Sequence, residues 1–283
     1  MQLLIPATLF TLMFALGLGL QGDALALLRR RPALILRVLV GTCLLVPLAA
    51  LLLLRSPVLA SLSLPVRLAI ALMAISPSAP LTLRKAGRQG GDQELAALLQ
   101  LLAAAAAIVT IPLLADLYRA VFHLSGWDIQ ALPVARQVLT VQGLPLALGL
   151  LVRRRLPELA ERLVGPLDKA ANLLLTLLLG LILAHSWPLL RAFLVANPVG
   201  LGCIALMVLV ALVIGWLLSG PGLRERTTVA VVTSTRNPGL ALLLASTHAA
   251  QVPGLKLAIL VYVLLTLVLS LPLLRLHRWL ARA

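Results

Sequence analysis

The sequence predicts an all-α membrane protein with nine transmembrane helices, arranged as an imperfect inverted repeat in which two broken helices cross. The 283 residues are 61% hydrophobic and 12% charged, with a mean hydropathy of +1.07. Soluble domains carry about 25% charged residues, so this composition indicates a polytopic membrane protein in a lipid bilayer. Two further observations predict the fold. They are apolar runs of membrane-spanning length and two proline-containing interruptions at corresponding positions.

The apolar runs define the spans, because a helix needs about 20 mostly apolar residues to cross a bilayer. The segments that qualify are residues 3–21, 34–54, 66–89, 93–122, 132–152, 165–186, 198–219, 224–249 and 254–276. The first lacks the basic stretch and cleavage site of a secretory signal peptide, so we expect it to be a span and Met1 to be the mature start.

The basic residues predict the orientation. With the N-terminus outside and the C-terminus cytoplasmic, most Lys and Arg residues fall in cytoplasmic loops, including Arg29 to Arg31 and Arg153 to Arg155. This distribution follows the positive-inside rule. The net charge of +15 therefore reflects the orientation of the chain in the membrane. Because only 4% of the residues are aromatic, we expect no nucleic-acid partner.

The third and eighth segments are interrupted near their centres, at residues 76–80 and 234–239. Each is followed by a long unbroken span. Five span steps separate them, so the two halves run through the membrane in opposite orientations. The predicted repeats are residues 1–123, with four spans, and residues 132–283, with five. Paired interruptions of this kind indicate a transporter's binding site.

The second interruption has the pattern of a new helix start, with Asn237 as N-cap and Pro238 as the first helical residue. In the first interruption, Ser76 with Pro77, or Ser78 ahead of Pro80, has the same pattern. Two helix N-termini would then meet near mid-membrane and favour an anion. Arg236 would add a full charge and a planar fork suited to a carboxylate, sulfonate or phosphate.

Less specific interpretations stand beside these. A proline break can be a packing kink, and Arg236 could snorkel or pair with a backbone carbonyl. Hydroxyls in membrane helices more often bond back to the preceding turn, which applies to Thr233, Ser234 and Thr235. Several other polar residues interrupt spans, and for these we favour hydrogen bonds between helices over a pathway role. They are Gln100, Thr110, Thr140, Gln142, Asn172 and Thr176.

Ion-coupling residues are scarce. No Asp or Glu falls within the core of a span, the four histidines lie near membrane boundaries, and Cys43 and Cys203 lie in apolar runs. Sodium favours oxygen ligands that include a carboxylate, and proton relays use Asp, Glu or His. We therefore expect no metal site and no cofactor, and sodium is doubtful as a coupling ion. Without a nucleophile–base pair, an enzyme is not expected.

Several segments together resemble the bile acid:sodium symporter family over nearly the whole chain. They are Leu12 to Leu18, Arg30-Arg31-Pro32, Cys43 to Pro47, Pro77, Gly91-Asp92, and Asn237 with Gly239-Leu240-Ala241. The resemblance implies interleaved panel and core domains, discontinuous helices crossing in the core, and alternating access for organic anions. A member lacking the first helix of the first repeat would have the nine-span topology.

The sodium ligands that this resemblance implies are not retained. The family's Ser-Asn pair corresponds to Thr82-Leu83, one glutamine to Thr42, and the Glu-x-x-x-Gln-Asn pattern to Val232, Arg236 and Asn237. Only Asn237 is kept. Our hypothesis is that Arg236 supplies part of the positive charge that sodium would bring, which would make the protein a uniporter, an exchanger or a proton-coupled carrier.

The sequence thus predicts a secondary transporter of organic anions in a bacterial inner membrane. The alternatives are a non-transporting receptor or regulatory protein on the same fold, and an anion efflux carrier, for arsenite for example, which the lack of a cysteine at either interruption disfavours. The predicted substrate-binding residues are Ser76, Ser78, Thr82, Ser234, Thr235, Arg236 and Asn237.

Overall fold

The fold is described from a computed structural model that covers residues 3–20, 22–57, 61–77, 90–122 and 129–270. All regular structure in these ranges is helical. The helices are α1 Leu4–Leu18, α2 Gly22–Arg30, α3 Pro32–Arg55, α4 Leu64–Ile75, α5 Gln93–Phe122, α6 Ala131–Arg155, α7 Pro157–Ala196, α8 Pro198–Leu218, α9 Leu223–Ser234, α10 Pro238–His248 and α11 Leu255–Leu269.

Five of the described helices are long and apolar enough to cross a membrane, namely α3, α5, α6, α7 and α8. Three shorter ones, α1, α4 and α11, are also apolar. Every predicted span coincides with one or two of these helices, although the second half of the third segment and the end of the ninth lie outside the described residues. The all-helical membrane class is therefore confirmed, while the nine-span repeat stays a prediction.

The centre of the molecule is formed by short helices that are apolar on every side. In α4 all residues from Leu68 to Ile75 are buried, and in α10 all residues from Pro238 to Ala245 are buried. A helix that is hydrophobic around its whole circumference belongs in a core. The longer α3, α5, α8 and α11 pack around them and place the ends of α4, α9 and α10 deep inside the protein.

Helix α7 is longer than its predicted span of residues 165–186. It runs for 40 residues and includes Pro166 and Pro188. At 1.5 Å per residue this is about 60 Å, roughly twice the hydrocarbon thickness of a bilayer. The predicted connection around residues 187–197 is therefore mostly helical, because Pro188 does not end the helix, which stops only at Asn197.

Helices α3 and α6 each contain a π-helical turn, Gly41–Leu45 and Leu139–Gly143. In both helices a proline follows two residues after the turn, Pro47 and Pro145. Proline has no amide hydrogen and so leaves a carbonyl of the preceding turn without its helical partner. Such turns widen a helix locally and occur often at functional sites.

Candidate functional site: the buried crossover

The second interruption lies against the C-terminal end of α4. We call the residues that meet there, 73–76 and 233–238, the crossover. Helix α4 ends at Ile75, α9 ends at Ser234, and α10 begins at Pro238. The Asn237 N–H donates a hydrogen bond of 3.1 Å to the Ser76 carbonyl oxygen, which joins the two interruptions through their backbones. The structure therefore places residue 76 beside residue 237. The helix start predicted after the first interruption lies outside the described residues.

Arg236 is the central side chain of this site and is only 2% exposed. Its Nε donates to the Met73 carbonyl at 3.0 Å, and its Nη1 donates to the carbonyls of Thr42 at 3.0 Å and Thr233 at 3.4 Å. Its Nη2 donates to the Ala74 carbonyl. The guanidinium is thus held in a cage of four backbone oxygens, which is the carbonyl pairing named above as the alternative to an anion contact.

The local structure explains why these carbonyls are available. Ala74 and Thr233 lie in the last turns of α4 and α9, where carbonyls have no amide partner further along the helix. Met73 lies in the last turn of α4 as well, and its carbonyl also accepts from the Ser76 N–H at 3.2 Å. In the first π-helical turn the Val46 N–H bonds to Gly41 O. The next donor in that pattern would be residue 47 to the Thr42 carbonyl, but Pro47 has no N–H. The freed oxygen accepts from Arg236.

The electrostatics of the cage favour a cation. The C-terminal end of a helix carries about half a negative charge, and two such ends, of α4 and α9, converge on Arg236. The four hydrogen bonds of its guanidinium all go to neutral carbonyls and none to a carboxylate. The arginine therefore donates to the buried oxygens of Thr42, Ala74 and Thr233, and it adds a second donor to the Met73 carbonyl, which also accepts from the Ser76 N–H.

Asn237 has the predicted capping role. Its Oδ1 accepts from the Leu240 N–H at 3.1 Å, and Pro238 is the first residue of α10. The residue is 1% exposed, and its Nδ2 has no hydrogen-bond partner within the described part of the chain. A helix N-terminus and a buried amide donor therefore lie directly beside the carbonyl cage.

The hydroxyls predicted for the site make mostly local hydrogen bonds. Ser76 Oγ donates to Leu72 O at 2.7 Å and Ser234 Oγ to Val231 O at 3.3 Å, as expected of hydroxyls in membrane helices. The Thr235 amide also bonds to Val231 O, at 3.0 Å. Two of the predicted substrate-binding residues, Ser78 and Thr82, lie outside the described residues.

A buried hydroxyl pair between α3 and α9 was not predicted. Thr42 Oγ1 and Thr233 Oγ1 lie 3.1 Å apart, beside the two carbonyls of the same residues that accept from Arg236. The sequence held one signal for the Thr42 carbonyl: Pro47, whose missing amide hydrogen implies an unpaired carbonyl one turn earlier. The contributions of Met73 and Ala74 are purely backbone, so their side chains carried no signal.

The other polar residues within spans differ in their bonding. Gln142 Nε2 donates to Ala104 O on the neighbouring α5 at 2.6 Å, which is the interhelical bond expected of it. Thr140 and Thr176 each bond back to a carbonyl four residues earlier in their own helix. Gln100 Oε1 and Thr110 Oγ1 have no partner among the described residues.

The fold and the site together define an integral membrane protein in which a polar crossover lies between the ends of short buried helices. The model of the sodium bile acid symporter family matches residues 6–192, and the chain belongs to this family. No curated protein matches the chain. The matched region includes Thr42 and Ser76 and ends before Arg236 and Asn237, so the family finding rests on residues other than the second interruption.

Proposed function

We propose that the protein is a secondary transporter that moves a small organic anion by alternating access without sodium coupling, and that Arg236 is its built-in cation. The carrying observation is the four-carbonyl cage around a guanidinium that is 2% exposed. Membership of the sodium bile acid symporter family supports the transport part of the proposal.

The cage geometry supports sodium independence. Hard cations are bound by rings of oxygen atoms, and backbone carbonyls are common among them. Here such oxygens, including those of Met73 and Thr42, already accept from Arg236 at 3.0 Å. A second cation at the same oxygens would meet both the volume and the like charge of the guanidinium, so the cage has no room for sodium.

Groups on the α10 side of the crossover support an anionic substrate. In the first turn of α10 the Leu240 N–H is capped by Asn237, which leaves the Gly239 N–H without a hydrogen bond in the described structure. The Asn237 Nδ2 is a further buried donor without a partner there, and Arg236 carries a positive charge nearby. Each of these favours negative charge. Since most N–H groups of Arg236 are occupied by carbonyls, its contribution is through charge more than through a free fork.

The wider architecture is part of the same proposal. Nine spans, with repeats at residues 1–123 and 132–283, place the N-terminus outside and the C-terminus in the cytoplasm of a bacterial inner membrane. The clustering of Arg29 to Arg31 and Arg153 to Arg155 on the cytoplasmic side supports this orientation. The broken helices would then carry the site between the two faces of the membrane.

Transport in proteoliposomes tests the proposal. A panel of organic anions is first screened for thermal stabilisation in sodium and in potassium, since a bound ligand stabilises the folded state by mass action. Uptake of a stabilising anion is then measured with an inward sodium gradient and with potassium in its place. We expect equal uptake in the two conditions, and strict dependence on the sodium gradient would overturn the sodium-free mechanism.

Variants of Arg236 separate its charge from its geometry. Arg236→Gln removes the charge and should weaken anion binding. Arg236→Lys keeps the charge and should therefore bind the anion more tightly than Arg236→Gln does. Equal affinities for the wild type and both variants would contradict a role of Arg236 in anion binding. Absence of transport for every stabilising anion would instead favour a receptor on this fold.

A further inference from the structure

The corner where α2 joins α3 concentrates positive charge at one end of a helix that is long and apolar enough to cross a membrane. Residues 24–40 contain Arg29, Arg30, Arg31 and Arg37 and no aspartate or glutamate. All four arginines are exposed. Basic clusters directly beside a membrane-spanning helix attract the anionic headgroups of lipids, so the surroundings of these side chains decide whether such a site is present here.

Carboxylate pairing leaves most of this charge uncompensated. Arg31 Nη1 donates to Glu225 Oε2 in the first turn of α9, and the other oxygen of Glu225 accepts from the Gly220 N–H. Both oxygens of Glu225 are therefore engaged, and Arg31 ties the corner to the start of α9. The other three arginines have no carboxylate partner among the residues whose side chains the structure describes.

Arg37 lies within the helix, in the second turn of α3. Its Nε donates to the Ala33 carbonyl oxygen at 3.3 Å, so the side chain bends back toward the α2–α3 corner. Arginines at a membrane boundary bring their charge to the headgroups in this way, while the methylene groups stay in the apolar region. The charge of Arg37 is therefore directed to the same end of α3 as the charges of Arg29 and Arg30.

An apolar stripe, which we call the α3 stripe, begins beside Arg37. Its residues are Leu36, Val40, Leu44, Leu48 and Leu52. Each of them is 37% to 69% exposed, and positions four residues apart lie on one side of a helix. The stripe therefore presents a continuous apolar surface along α3, with the basic corner at one end of it.

We propose that the α2–α3 corner and the α3 stripe together bind an anionic phospholipid. Arg29, Arg30 and Arg37 receive its phosphate, and the acyl chains lie along the stripe. A guanidinium suits a phosphate because its planar fork donates two parallel hydrogen bonds. The site is independent of what the chain transports, since none of its residues belongs to the crossover.

Thermal unfolding of the full chain in detergent tests the proposal. Phosphatidylglycerol is added in one series and phosphatidylcholine with the same acyl chains in another, so that the headgroup is the variable. A ligand of the folded state stabilises it by mass action, so phosphatidylglycerol should raise the unfolding temperature more. High salt should reduce this difference. Inorganic phosphate and glycerol 1-phosphate, which lack acyl chains, should stabilise much less.

Arginine variants locate the site. Arg37→Gln, and Arg29→Gln combined with Arg30→Gln, should weaken phosphatidylglycerol binding about fivefold for each arginine removed, the ordinary contribution of a basic residue near an anionic membrane surface. Arg55→Gln is the matched control, because Arg55 is an exposed arginine at the opposite end of the same helix. It should leave the difference between the two phospholipids unchanged.

Three outcomes would overturn the lipid site. They are equal stabilisation by the two phospholipids, equal losses in Arg37→Gln and Arg55→Gln, and stabilisation by free phosphate as large as that by phosphatidylglycerol, which would indicate a site for a soluble anion. Each variant is compared with itself in both lipids, so a general loss of stability is not mistaken for lost lipid binding. None of these outcomes bears on the uptake of organic anions, which is measured separately.

Discussion

The crossover and a cavity of about 80 Å³ between α1, α5 and α7, lined by Gln100 and Asp168 among others, are both polar regions in an apolar protein. They differ in how far their hydrogen bonds are satisfied. At the crossover, Arg236 donates to four carbonyls. In the cavity, the Oε1 of Gln100 has no partner among the described residues. The crossover contains the donor for its buried oxygens, whereas the cavity leaves the Gln100 oxygen without one.

This difference separates a charge that stabilises the fold from a polar atom that is left free to bind another molecule. A cation that makes four hydrogen bonds to the backbone holds the ends of α4 and α9 together whether or not a ligand is present. An unsatisfied acceptor in a cavity gains stability only when something else supplies the donor. Changes at the crossover should therefore affect the stability of the fold more than changes at the cavity.

The largest expected effect is that of Arg236→Ala. Removing the guanidinium leaves buried carbonyls without donors, each costing about 1–3 kcal/mol, so we expect a loss of about 3–5 kcal/mol in the free energy of unfolding after partial hydration of the cage. Thermal unfolding in detergent measures the loss. Sodium or millimolar guanidinium should restore part of the stability of this variant only, because the emptied cage can bind a free cation.

Arg224→Ala is the matched control, since Arg224 is an exposed arginine on the same side of the break, in α9. Its removal should change the unfolding temperature little, and neither cation should alter it specifically. If Arg236→Ala were as stable as Arg224→Ala, the carbonyl cage would not be a determinant of stability and the contrast between the two regions would fail.

An intermediate effect is expected from Gly17→Ala. A Cβ at Gly17 would lie 2.5 Å from the Leu146 carbonyl oxygen and 3.0 Å from Gly149 Cα, so α1 and α6 must separate. Since the atoms in the way belong to the backbone of α6 and cannot rotate aside, we expect a lower unfolding temperature while the hydrogen bonds of the crossover are kept. Thermal unfolding of the wild type and the variant in detergent measures this.

The control for this change is Gly202→Ala in α8, where a Cβ would meet no atom within 4 Å. It should be neutral or slightly stabilising, as alanine is favoured over glycine in helices by up to about 1 kcal/mol. Equal unfolding temperatures of Gly17→Ala and Gly202→Ala would show that the close approach of α1 and α6 does not contribute to stability.

The smallest expected effect distinguishes the two roles of Asn237. Asn237→Ser keeps a side-chain oxygen for the N-cap but removes Nδ2, whereas Asn237→Ala removes both. Loss of the cap should cost about 1 kcal/mol in Asn237→Ala alone, and anion affinity should fall in both variants if Nδ2 contacts the ligand. Unfolding curves and ligand titrations separate these effects, and unchanged affinity in Asn237→Ser would restrict Asn237 to capping.

The sequence predicted the parts of the fold that depend on local pattern. Apolar length located the helices, and Asn237-Pro238 predicted the break and the start of α10 because capping chemistry is local. The predicted span of residues 165–186 is shorter than α7, which runs from Pro157 to Ala196, because apolar length marks a span and not the full length of its helix. Association of residues 76 and 237 followed from their matching positions.

The partners of Arg236 could not be predicted in the same way. They are main-chain oxygens of residues up to 194 positions away, so no side-chain type marks them. The charge of Arg236 predicted a polar site, but whether it faced a ligand or the backbone depended on the packing of α3, α4 and α9. The cavity at Gln100 was likewise not recognised, because an isolated glutamine in a span carries no sign of whether its oxygen is satisfied.

The cage around Arg236 has a consequence for how such a protein changes its ion requirement. Main-chain oxygens persist whatever side chains surround them, so an ion site built from them is not erased when nearby residues are substituted. A single codon, the one for residue 236, could then decide whether the same oxygens hold a fixed charge or a diffusible one. The energy source of a carrier could change in one mutational step, without any rebuilding of the fold.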